Sequence, residues 1–579
     1  MTIFTVIIVL LTAATIHGKA LSIDLYPGYG WDDLRYLDML PIFNVRNSNS
    51  SINMQECIAH IPKRRSQLEL SSKVIDIYDS SSTSYTKGYT TGGGLSFLGF
   101  GISASYSEQY QQLKEQQGRE NTVTIRNEIE HVLADVLLVQ SCQLDSQFKT
   151  EIIDIANYIK TDEQIKATYA AQLLVLRYGT HYTSRFRIGG RIVDENFMKS
   201  QELYASETIR KSSQASAKAS FILKLSLSAS YQTDKSLTTN ETNQFQQRIT
   251  QNRITSEGGQ PFLLNMSIQN WQLTVEDNPI VLQRMIENIT AAIDPKQIPE
   301  IEEHYVYKAI EEINKAIDTY VRMNLIRGCT KRDSSSFNWL ANVNDGSCNG
   351  TSLNIQFGGF IRTCSISWSF GESSTPRTDL CNDMLLKNFH TNTEDCPLGF
   401  TKQLLHTSSR SQRYERTHSY SCGFLWLSRC YRQIWVGTAY STSSLYTCVR
   451  NGTGLTQYTF GGSYTTNKIN LVTNERSCPL RYQPVRIVND IDMCVTQQII
   501  DSSIIPKFGG LFSCQSSSPN NVCPSGFSAY VTGVIEGSCI LHVCLQLKTQ
   551  DIRNLPQVSL PPFFQFIGIY ELNGSNKFN

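Results

Sequence analysis

The sequence lacks the signatures of the common enzyme classes. No H-E-x-x-H zinc motif, G-x-S-x-G nucleophile elbow, P-loop or G-x-G-x-x-G dinucleotide motif occurs in its 579 residues. The nine histidines are scattered and do not show the spacing of metal ligands. We therefore expect a protein that is not an enzyme and that binds neither a cofactor nor a metal ion.

The chain also lacks a net charge and, after its first twenty residues, a long apolar run. Lys and Arg number 52 against 51 Asp and Glu, so no overall field attracts nucleic acid. A transmembrane helix needs about 20 apolar residues. The closest stretch, residues 558–570, is shorter and contains Pro561 and Pro562. If this protein enters a membrane, it must do so without a spanning helix.

Residues 1–20 have the pattern of a signal peptide for export. An apolar stretch at 3–14 precedes the small-x-small sequence Gly-Lys-Ala at 18–20, although a buried first strand would fit the same pattern. Export agrees with the cysteines, because 14 of the 16 lie between Cys329 and Cys544 and predict a disulfide framework. No C-x-x-C pair supports zinc-ribbon or thioredoxin chemistry. Sequons predict glycosylation at Asn49, Asn240, Asn265, Asn288, Asn349, Asn451 and Asn573.

The cysteine map divides the mature chain into two domains and a tail. Residues 21–327 hold only two cysteines and contain the long helical patterns. Residues 328–545 predict short strands and turns joined by disulfides, and residues 546–579 predict a loosely ordered tail. In the second domain a Phe-Gly-Gly motif begins at residues 357, 460 and 508, and a Cys-Pro motif begins at residues 396, 478 and 523. This repetition predicts hairpin units held by bridges, with glycine pairs where strands bulge.

Two segments, 80–112 and 201–250, alternate apolar and small polar residues as membrane-spanning β-strands do. Such strands need a closed barrel, so many copies of the chain would contribute hairpins to one ring. The residues expected to face lipid are Phe100, Ile102, Ala104, Tyr106, Leu223, Leu225, Leu227, Ala229 and Tyr231. The alternative is an ordinary half-buried antiparallel strand. Both segments also suit amphipathic helices, so the sequence is compatible with two conformations.

The segment YGTHYTSRFRIGG at residues 178–190 resembles the signature of the membrane attack complex/perforin (MACPF) superfamily. It follows a helical pattern and precedes an extended one, as in that superfamily. Paired glycines let a strand bend where side chains would clash, so we interpret the segment as a hinge opposed by a second glycine pair. The predicted hinge residues are Tyr178, Gly179, Thr180, His181, Gly189, Gly190, Gly258 and Gly259. For His181 a packed structural role is favoured over pH sensing.

Further motifs resemble the perforin-2 group of this superfamily over roughly residues 25–560. They include PGYGWDDLR at 27–35, GCT at 328–330, and the repeated Phe-Gly-Gly and Cys-Pro motifs. The resemblance implies an α+β fold. A MACPF domain with a bent, twisted antiparallel sheet flanked by two helical clusters is followed by a disulfide-rich, mostly β second domain.

The resemblance also implies a mechanism. Subunits form a homo-oligomeric ring, and helical clusters at residues 80–118 and 200–250 unfurl into β-hairpins that perforate a target lipid membrane after a trigger. In the second domain a long hairpin contacts lipid, which assigns that contact to the tip residues Phe424, Leu425, Trp426 and Leu427. A Trp-bearing apolar tip beside arginines suits a membrane interface, although a buried strand fits the same composition.

Three biological roles fit this resemblance. Vertebrate relatives carry a membrane anchor that this sequence does not show, so we expect a secreted pore former, acting in antimicrobial defence. One alternative is the MACPF subunit of a toxin disulfide-linked to a lectin chain, as in the snail egg toxin perivitellin-2. The other is a non-lytic developmental or adhesion factor, which would share the same signature.

Overall fold

A computed structural model describes most of the chain as two compact units. The described residues are 26–45, 57–62, 68–78, 103–139, 142–227, 239–263, 266–349, 355–369, 378–381, 384–422, 428–452, 459–488, 490–496, 506–516, 523–536, 539–546 and 555–563. The first unit takes residues up to 77, 86–153 and 177–303, and the second takes 78–85, 154–176 and 304–579. The expected α+β class is confirmed, and the domain boundary at residue 327 stays a prediction.

The first unit is built on one antiparallel sheet of eight strands. Its strands β1 to β8 are Tyr29–Asp32, Leu37–Pro41, Ile58–Pro62, Leu68–Ile75, Thr122–Leu138, His181–Lys199, Ile249–Glu257 and Ile280–Asn288. The helices α1 to α8 of the described chain are Glu108–Glu120, Ser146–Lys160, Gln164–Tyr178, Ser200–Leu203, Glu207–Lys224, Thr239–Arg248, Ile268–Val275 and Glu303–Met323. Short 3-10 turns lie at Ile289–Ala292, Pro295–Gln297 and Thr378–Cys381.

Two long central strands organise this sheet. β5 and β6 stay paired from Thr122 opposite Lys199 to Leu137 opposite Arg185. Their outer partners change along the way, from β4 to β3 beside β5 and from β7 to β8 beside β6. The sheet therefore consists of two halves in series that share β5 and β6.

At one end of the sheet four neighbouring strands stop side by side. Register places the end of β4 at Ile75, the start of β5 at Thr122, the end of β6 at Lys199 and the start of β7 at Ile249. Residues 76–121 join β4 to β5, and residues 200–248 join β6 to β7. Both connections thus leave and re-enter the sheet at this same end.

The second connection covers one face of the sheet with α5. This helix begins at Ser206, whose hydroxyl accepts a hydrogen bond from the amide of Ile209 at 3.1 Å, with Glu207 in the first turn. Its apolar side joins α7 and the central strands in one buried cluster, which contains Ile129, Ile192, Phe221, Leu225, Ile268, Trp271 and Val275. Burial of each large apolar side chain contributes about 1.5–3 kcal/mol, so this cluster is the main attachment of α5.

The first connection returns to the sheet through α1. The Ser107 hydroxyl caps this helix, and Asn121, with a φ of +55°, ends it one residue before β5. The buried amide of Gln117 donates to the Ile75 oxygen at 2.8 Å and to Thr124 Oγ1 at 2.9 Å. A single polar side chain therefore fastens α1 to the ends of β4 and β5.

The second unit contains three sheets. Their strands β9 to β19 are Arg327–Gly328, Val343–Asn344, Ile355–Ser369, Thr401–Cys422, Ser428–Asn451, Thr459–Tyr464, Gln483–Val488, Ile491–Thr496, Lys507–Phe512, Ser528–Glu536 and Cys539–Gln546. The strand orders are β10-β9-β18-β19-β17, β11-β13-β12 and β14-β16-β15. The hairpin of β12 and β13 is the longest, and the predicted membrane tip lies in the sequence between its two strands.

Each of the three sheets carries one Phe-Gly-Gly motif at a bulge. The strand register shifts directly after Phe357, Phe460 and Phe508. These three rings meet one another at centroid distances of 5.6, 5.2 and 5.5 Å. The predicted repeat is therefore three sheets that share one aromatic centre.

The first glycine of each motif lies under an aromatic ring supplied by the matching Cys-Pro motif. A Cβ atom on Gly358, Gly461 or Gly509 would overlap the ring of Phe400, Tyr482 or Phe527, respectively. The second glycine has a φ of about +90° to +110° in every repeat, as at Gly359 and Gly510. Both positions therefore require glycine, one for space and the other for backbone conformation.

All sixteen cysteines pair within the chain. The disulfides are Cys57–Cys142, Cys329–Cys348, Cys364–Cys381, Cys396–Cys448, Cys422–Cys430, Cys478–Cys494, Cys514–Cys539 and Cys523–Cys544. In each repeat the Cys-Pro cysteine bonds to the middle strand of its three-strand set, at Cys448, Cys494 or Cys544. Every sulfur thus has a partner within this chain in this structure, and the disulfide-linked lectin chain that the sequence left open stays a prediction.

We expect Phe460→Ala to lower the free energy of unfolding by about 3–5 kcal/mol, because the ring is 2% exposed and its loss leaves a cavity between two other rings. Tyr431→Ala is the control, since that side chain is 68% exposed and its loss changes stability by less than about 0.5 kcal/mol. Denaturant unfolding with the disulfides intact measures both. Equal effects would contradict a shared aromatic centre.

Candidate functional site

The two halves of the sheet meet where β6 passes through Gly189 and Gly190. β8 pairs with β6 as far as Gly189, and β7 pairs with it from Arg191 onward. A Cβ atom on Gly189 would overlap the backbone oxygen of His131 on β5. β5 has a bulge at the same level, between Val132 and Ala134, and a bulge bends the strand that carries it.

The second predicted glycine pair lies against the first. Gly258 and Gly259 follow β7 with φ values of +79° and +68°, which favour glycine. A Cβ atom on Gly258 would stand 2.9 Å from both the Gly189 oxygen and the Gly190 Cα atom. The structure therefore brings all four predicted hinge glycines together.

Helix α7 packs directly on this junction. A Cβ atom on Gly190 would lie 2.7 Å from Val275 Cγ2 and 3.1 Å from Trp271 Cζ2, and one on Gly259 would lie 2.6 Å from Thr274 Oγ1. The side chains of Val275 and Trp271 are fully buried. The absence of side chains at these glycines is what lets α7 approach the sheet.

The other signature residues lie at the opposite end of β6, against β1. Gly179 has a φ of +81°, and a Cβ atom there would overlap the backbone of Trp31. The Thr180 hydroxyl lies 2.8 Å from His181 Nδ1 and 3.4 Å from the Trp31 oxygen. The ring of Tyr178 packs edge-on against that of Phe148 at 4.9 Å. The residues Tyr178, Gly179, Thr180 and His181 thus form a buried packing site, separate from the glycine junction.

Of the predicted lipid-facing residues, those that the structure describes do not lie in strands. Ala104 and Tyr106 lie in the turn before α1, where Ala104 has a φ of +56°. Leu223 is 76% exposed in the last turn of α5, whereas Leu225 is buried and Leu227 packs beside it. In this state residues 207–224 are helical, and Phe221 and Leu225, at helical spacing, bury their side chains together. Insertion of these residues into a membrane stays a prediction.

Several predicted site residues lie outside the described residues. They are Phe100, Ile102, Ala229 and Tyr231, the tip residues Phe424, Leu425, Trp426 and Leu427, and the sequons at Asn49, Asn265 and Asn573. Asn349 and Asn451 are exposed, and Asn240 lies in α6. Asn288 is buried and its Oδ1 accepts from the Thr290 amide at 2.9 Å, so this sequon is poorly accessible in the folded chain.

Sequence reasoning missed a network of ion pairs on one face of the half of the sheet that carries β4 and β7. Arg126 lies 3.1 Å from Glu195 and 3.2 Å from Glu128, and Arg191 lies 2.6 Å from Glu257 and 3.5 Å from Glu128. Charged residues at every second position of β5 were the available signal, since alternate residues of a strand share a face.

A glutamate on that face is held partly protonated. Glu130 on β5 stands opposite Glu69 on β4. Burial raises the pKa of Glu130 to about 7, with a further increase from the negative charges of Glu128 and Glu69 that Arg191 and Arg187 oppose. Its charge therefore changes near neutral pH.

The opposite face, under α5, carries a buried polar row. Asp194 on β6 is fully buried and accepts from Lys224 Nζ at 2.9 Å and from Asn252 Nδ2 at 2.8 Å on one oxygen. Its other oxygen accepts from Asn196 at 2.8 Å and from Asn127 at 3.3 Å. The row crosses β5, β6 and β7 and was not foreseen from the sequence, because its partners are far apart along the chain.

Within the described ranges, the one group that could bring three metal-ligating atoms together is His406, Cys514 and Cys539, and its two cysteines are bonded to each other. Of the helices that are described, none is sufficiently long and apolar to span a membrane.

Comparison with known proteins identifies a family for the first half of the chain. The family model described as MAC/Perforin domain matches residues 20–330. Among solved structures, GNIP1Aa from Chromobacterium piscinae is similar at 12% identity and a TM-score of 0.36, covering 89% of each chain. A protein described as a cell invasion protein with a MAC/Perforin domain, from Bacteroides thetaiotaomicron, is similar at 12% identity and a TM-score of 0.32, covering 53% of this chain and 63% of its own. The vertebrate protein Astrotactin-2, described as perforin-like and involved in neuronal development, is similar at 11% identity and a TM-score of 0.28. The match covers 75% of this chain and 68% of its own.

We expect Gly258→Ala to destabilise the protein by at least about 2 kcal/mol more than Gly346→Ala. Both glycines have a φ of +79°, but a Cβ atom at Gly346 meets nothing within 4 Å whereas one at Gly258 meets the Gly189–Gly190 backbone. The pair therefore separates crowding from backbone strain. Thermal unfolding of the two variants measures the difference, and equal melting temperatures would show that the junction is not tightly packed.

We expect Glu130→Gln to raise the melting temperature at pH 8 and to leave it unchanged below about pH 4.5. The pKa of this group is raised in the folded state, so its stabilising contribution is complete below the unfolded value of 4.5 and is lost as the pH rises through about 7. Glutamine imitates the protonated carboxyl at every pH. Glu311→Gln, at an exposed position, is the control, and a pH-independent effect of Glu130→Gln would contradict this assignment.

Proposed function

This chain belongs to the MAC/Perforin domain family, and we propose that it is a secreted pore-forming protein that assembles into a ring and perforates target membranes with β-hairpins. The observation that carries the proposal is that four neighbouring strands stop at one end of the sheet. β4 and β6 end there, at Ile75 and Lys199, and β5 and β7 begin there, at Thr122 and Ile249. If residues 76–121 and 200–248 became extended, they would continue four neighbouring strands as two hairpins.

The length and composition of both connections support this conversion. A membrane-spanning strand needs about 9–11 residues, and each connection is long enough for two strands and a turn. Neither connection contains proline, which would interrupt a ladder of hydrogen bonds, and neither contains cysteine, which would tie it to the sheet. Residues 200–248 also lack glycine, so they can form either α5 or a strand without a flexible point.

The finer assignment rests on the sequence resemblance to the perforin-2 group. The Phe-Gly-Gly and Cys-Pro repeats build the second unit, and its long hairpin of β12 and β13 ends at the segment 423–427 between Cys422 and Cys430. We propose that this end contacts lipid headgroups and that the biological role is antimicrobial defence. A signal peptide at residues 1–20 would deliver the chain to the cell exterior.

Release of a dye from liposomes tests the proposal. The wild-type protein is added to vesicles that contain anionic lipid, at pH 7.5 and pH 5, and rings are sought on the same vesicles by electron microscopy. Release with rings is the expected result. Absence of both under every condition would contradict pore formation and favour a non-lytic member of the family.

A reversible lock tests whether α5 must leave the sheet. We expect Leu225→Cys, paired with a cysteine introduced on β5, to abolish dye release when oxidised, because Leu225 is buried against the sheet in this state. Binding of the protein to vesicles should be unchanged. Reduction of the same sample is the matched control and should restore release, whereas full release in the oxidised state would show that α5 does not move.

A further inference from the structure

The attachment of α5 to the sheet is unusual because it ends in an ion pair with a fully buried carboxylate. Lys224 is the last residue of α5, and its ammonium lies 2.9 Å from Asp194 Oδ1. The Lys224 side chain is 29% exposed, whereas Asp194 is 0% exposed. While α5 is docked, Asp194 without this cation would be a buried unpaired charge, which is strongly unfavourable, so Lys224 stabilises the docked helix.

The remaining partners of Asp194 stay behind when α5 departs. Asn127, Asn196 and Asn252 belong to β5, β6 and β7, and all three donate amide hydrogens to Asp194. Amides are neutral, so Lys224 is the one cation paired with Asp194 among the described residues. Departure of α5 therefore removes the charge partner and leaves a row of polar groups that water can solvate.

The middle of α5 is held less well than its end. Ser213 and Ser216 are each 1% exposed, and neither hydroxyl has a hydrogen-bond partner among the described residues. Ser72 Oγ on β4 is also buried without a partner, although Gln214 Nε2 of α5 donates to the Ser72 backbone oxygen at 2.9 Å. A buried hydroxyl that makes no hydrogen bond weakens the contact that buries it.

We propose that this contact is a releasable latch, closed by Lys224 on Asp194 and weakened along its length by Ser213 and Ser216, which sets how readily α5 leaves the sheet. The polar groups serve both states: they are covered while α5 is docked and are wetted once it has left. An apolar face would hold α5 more strongly, but it would be left facing water afterwards. This inference deepens the proposed function and rests on it for its biological purpose.

Hydrogen exchange of the free protein in solution tests the latch without a membrane. In Lys224→Met, which keeps the apolar stem and removes the charge, we expect residues 207–224 to exchange at least about tenfold faster than in the wild type. Lys211→Met is the matched control on the same helix, because its side chain is 66% exposed and its pair with Glu207 is a surface contact. Equal exchange in the two variants would overturn the latch.

Two further variants keep the test decisive if Lys224→Met does not fold. Asp194→Asn combined with Lys224→Met should restore exchange to within about twofold of the wild type, since a neutral amide at position 194 needs no cation. Ser213→Ala with Ser216→Ala should slow exchange of the same helix several-fold, because it removes two buried hydroxyls without opening a large cavity. Exchange that is unchanged or faster in the serine variant would contradict the weakening role.

Dye release then separates the latch from the pore. If both proposals hold, Lys224→Met releases dye faster than the wild type, the double variant with Asp194→Asn returns to the wild-type rate, and the serine variant is slower. Altered exchange with no dye release from any protein, including the wild type, would support the latch and overturn the pore. Dye release from all proteins at one rate, with equal exchange, would leave the pore and overturn the latch.

Discussion

The first unit depends on one close approach, that of Gly189 to the backbone oxygen of His131. No side chain fits between them, so β5 and β6 remain paired through the junction while their outer partners change. Because those partners change, β4 and β7 run only along one half of the sheet and stop beside the ends of β5 and β6. Both connections therefore leave from one end of the half of the sheet that carries β4 and β7.

The contact between α5 and that half of the sheet combines apolar burial with buried polar groups. Apolar burial around Phe221 and Leu225 holds the end of α5, and about 1.5–3 kcal/mol for each such side chain is enough to keep it docked. Along the same helix the sheet presents Asp194 and its amides instead of a continuous apolar surface. A protein that only needed stability would bury hydrocarbon there, since a buried ion pair contributes little to stability compared with well-packed apolar residues.

The sequence predicted the parts of this arrangement that depend on backbone geometry. Gly189, Gly190, Gly258 and Gly259 were identified because glycine pairs have few other uses in a strand, and the Phe-Gly-Gly repeat was visible for the same reason. Around Leu223 and Leu225 it left helix and strand open, because one stretch can carry both a two-residue and a helical period, and only the fold decides which residues are buried. Lys224 on Asp194 and the disulfide pairings could not be foreseen, since both are set by residues that tertiary packing brings together.

The distribution of covalent links differs between the two units of the chain. Seven disulfides join residues of the chain from Cys329 onward, where the three sheets surround Phe357, Phe460 and Phe508. The first unit has one disulfide, Cys57–Cys142, which lies beside the pairing of β3 with β5. This is the opposite end of the sheet from the one at which both connections leave. Residues 76–121 and 200–248 carry none. A disulfide holds a segment to its neighbours covalently, whereas the described parts of these two segments are held by hydrogen bonds and side-chain packing, as the proposed conversion requires.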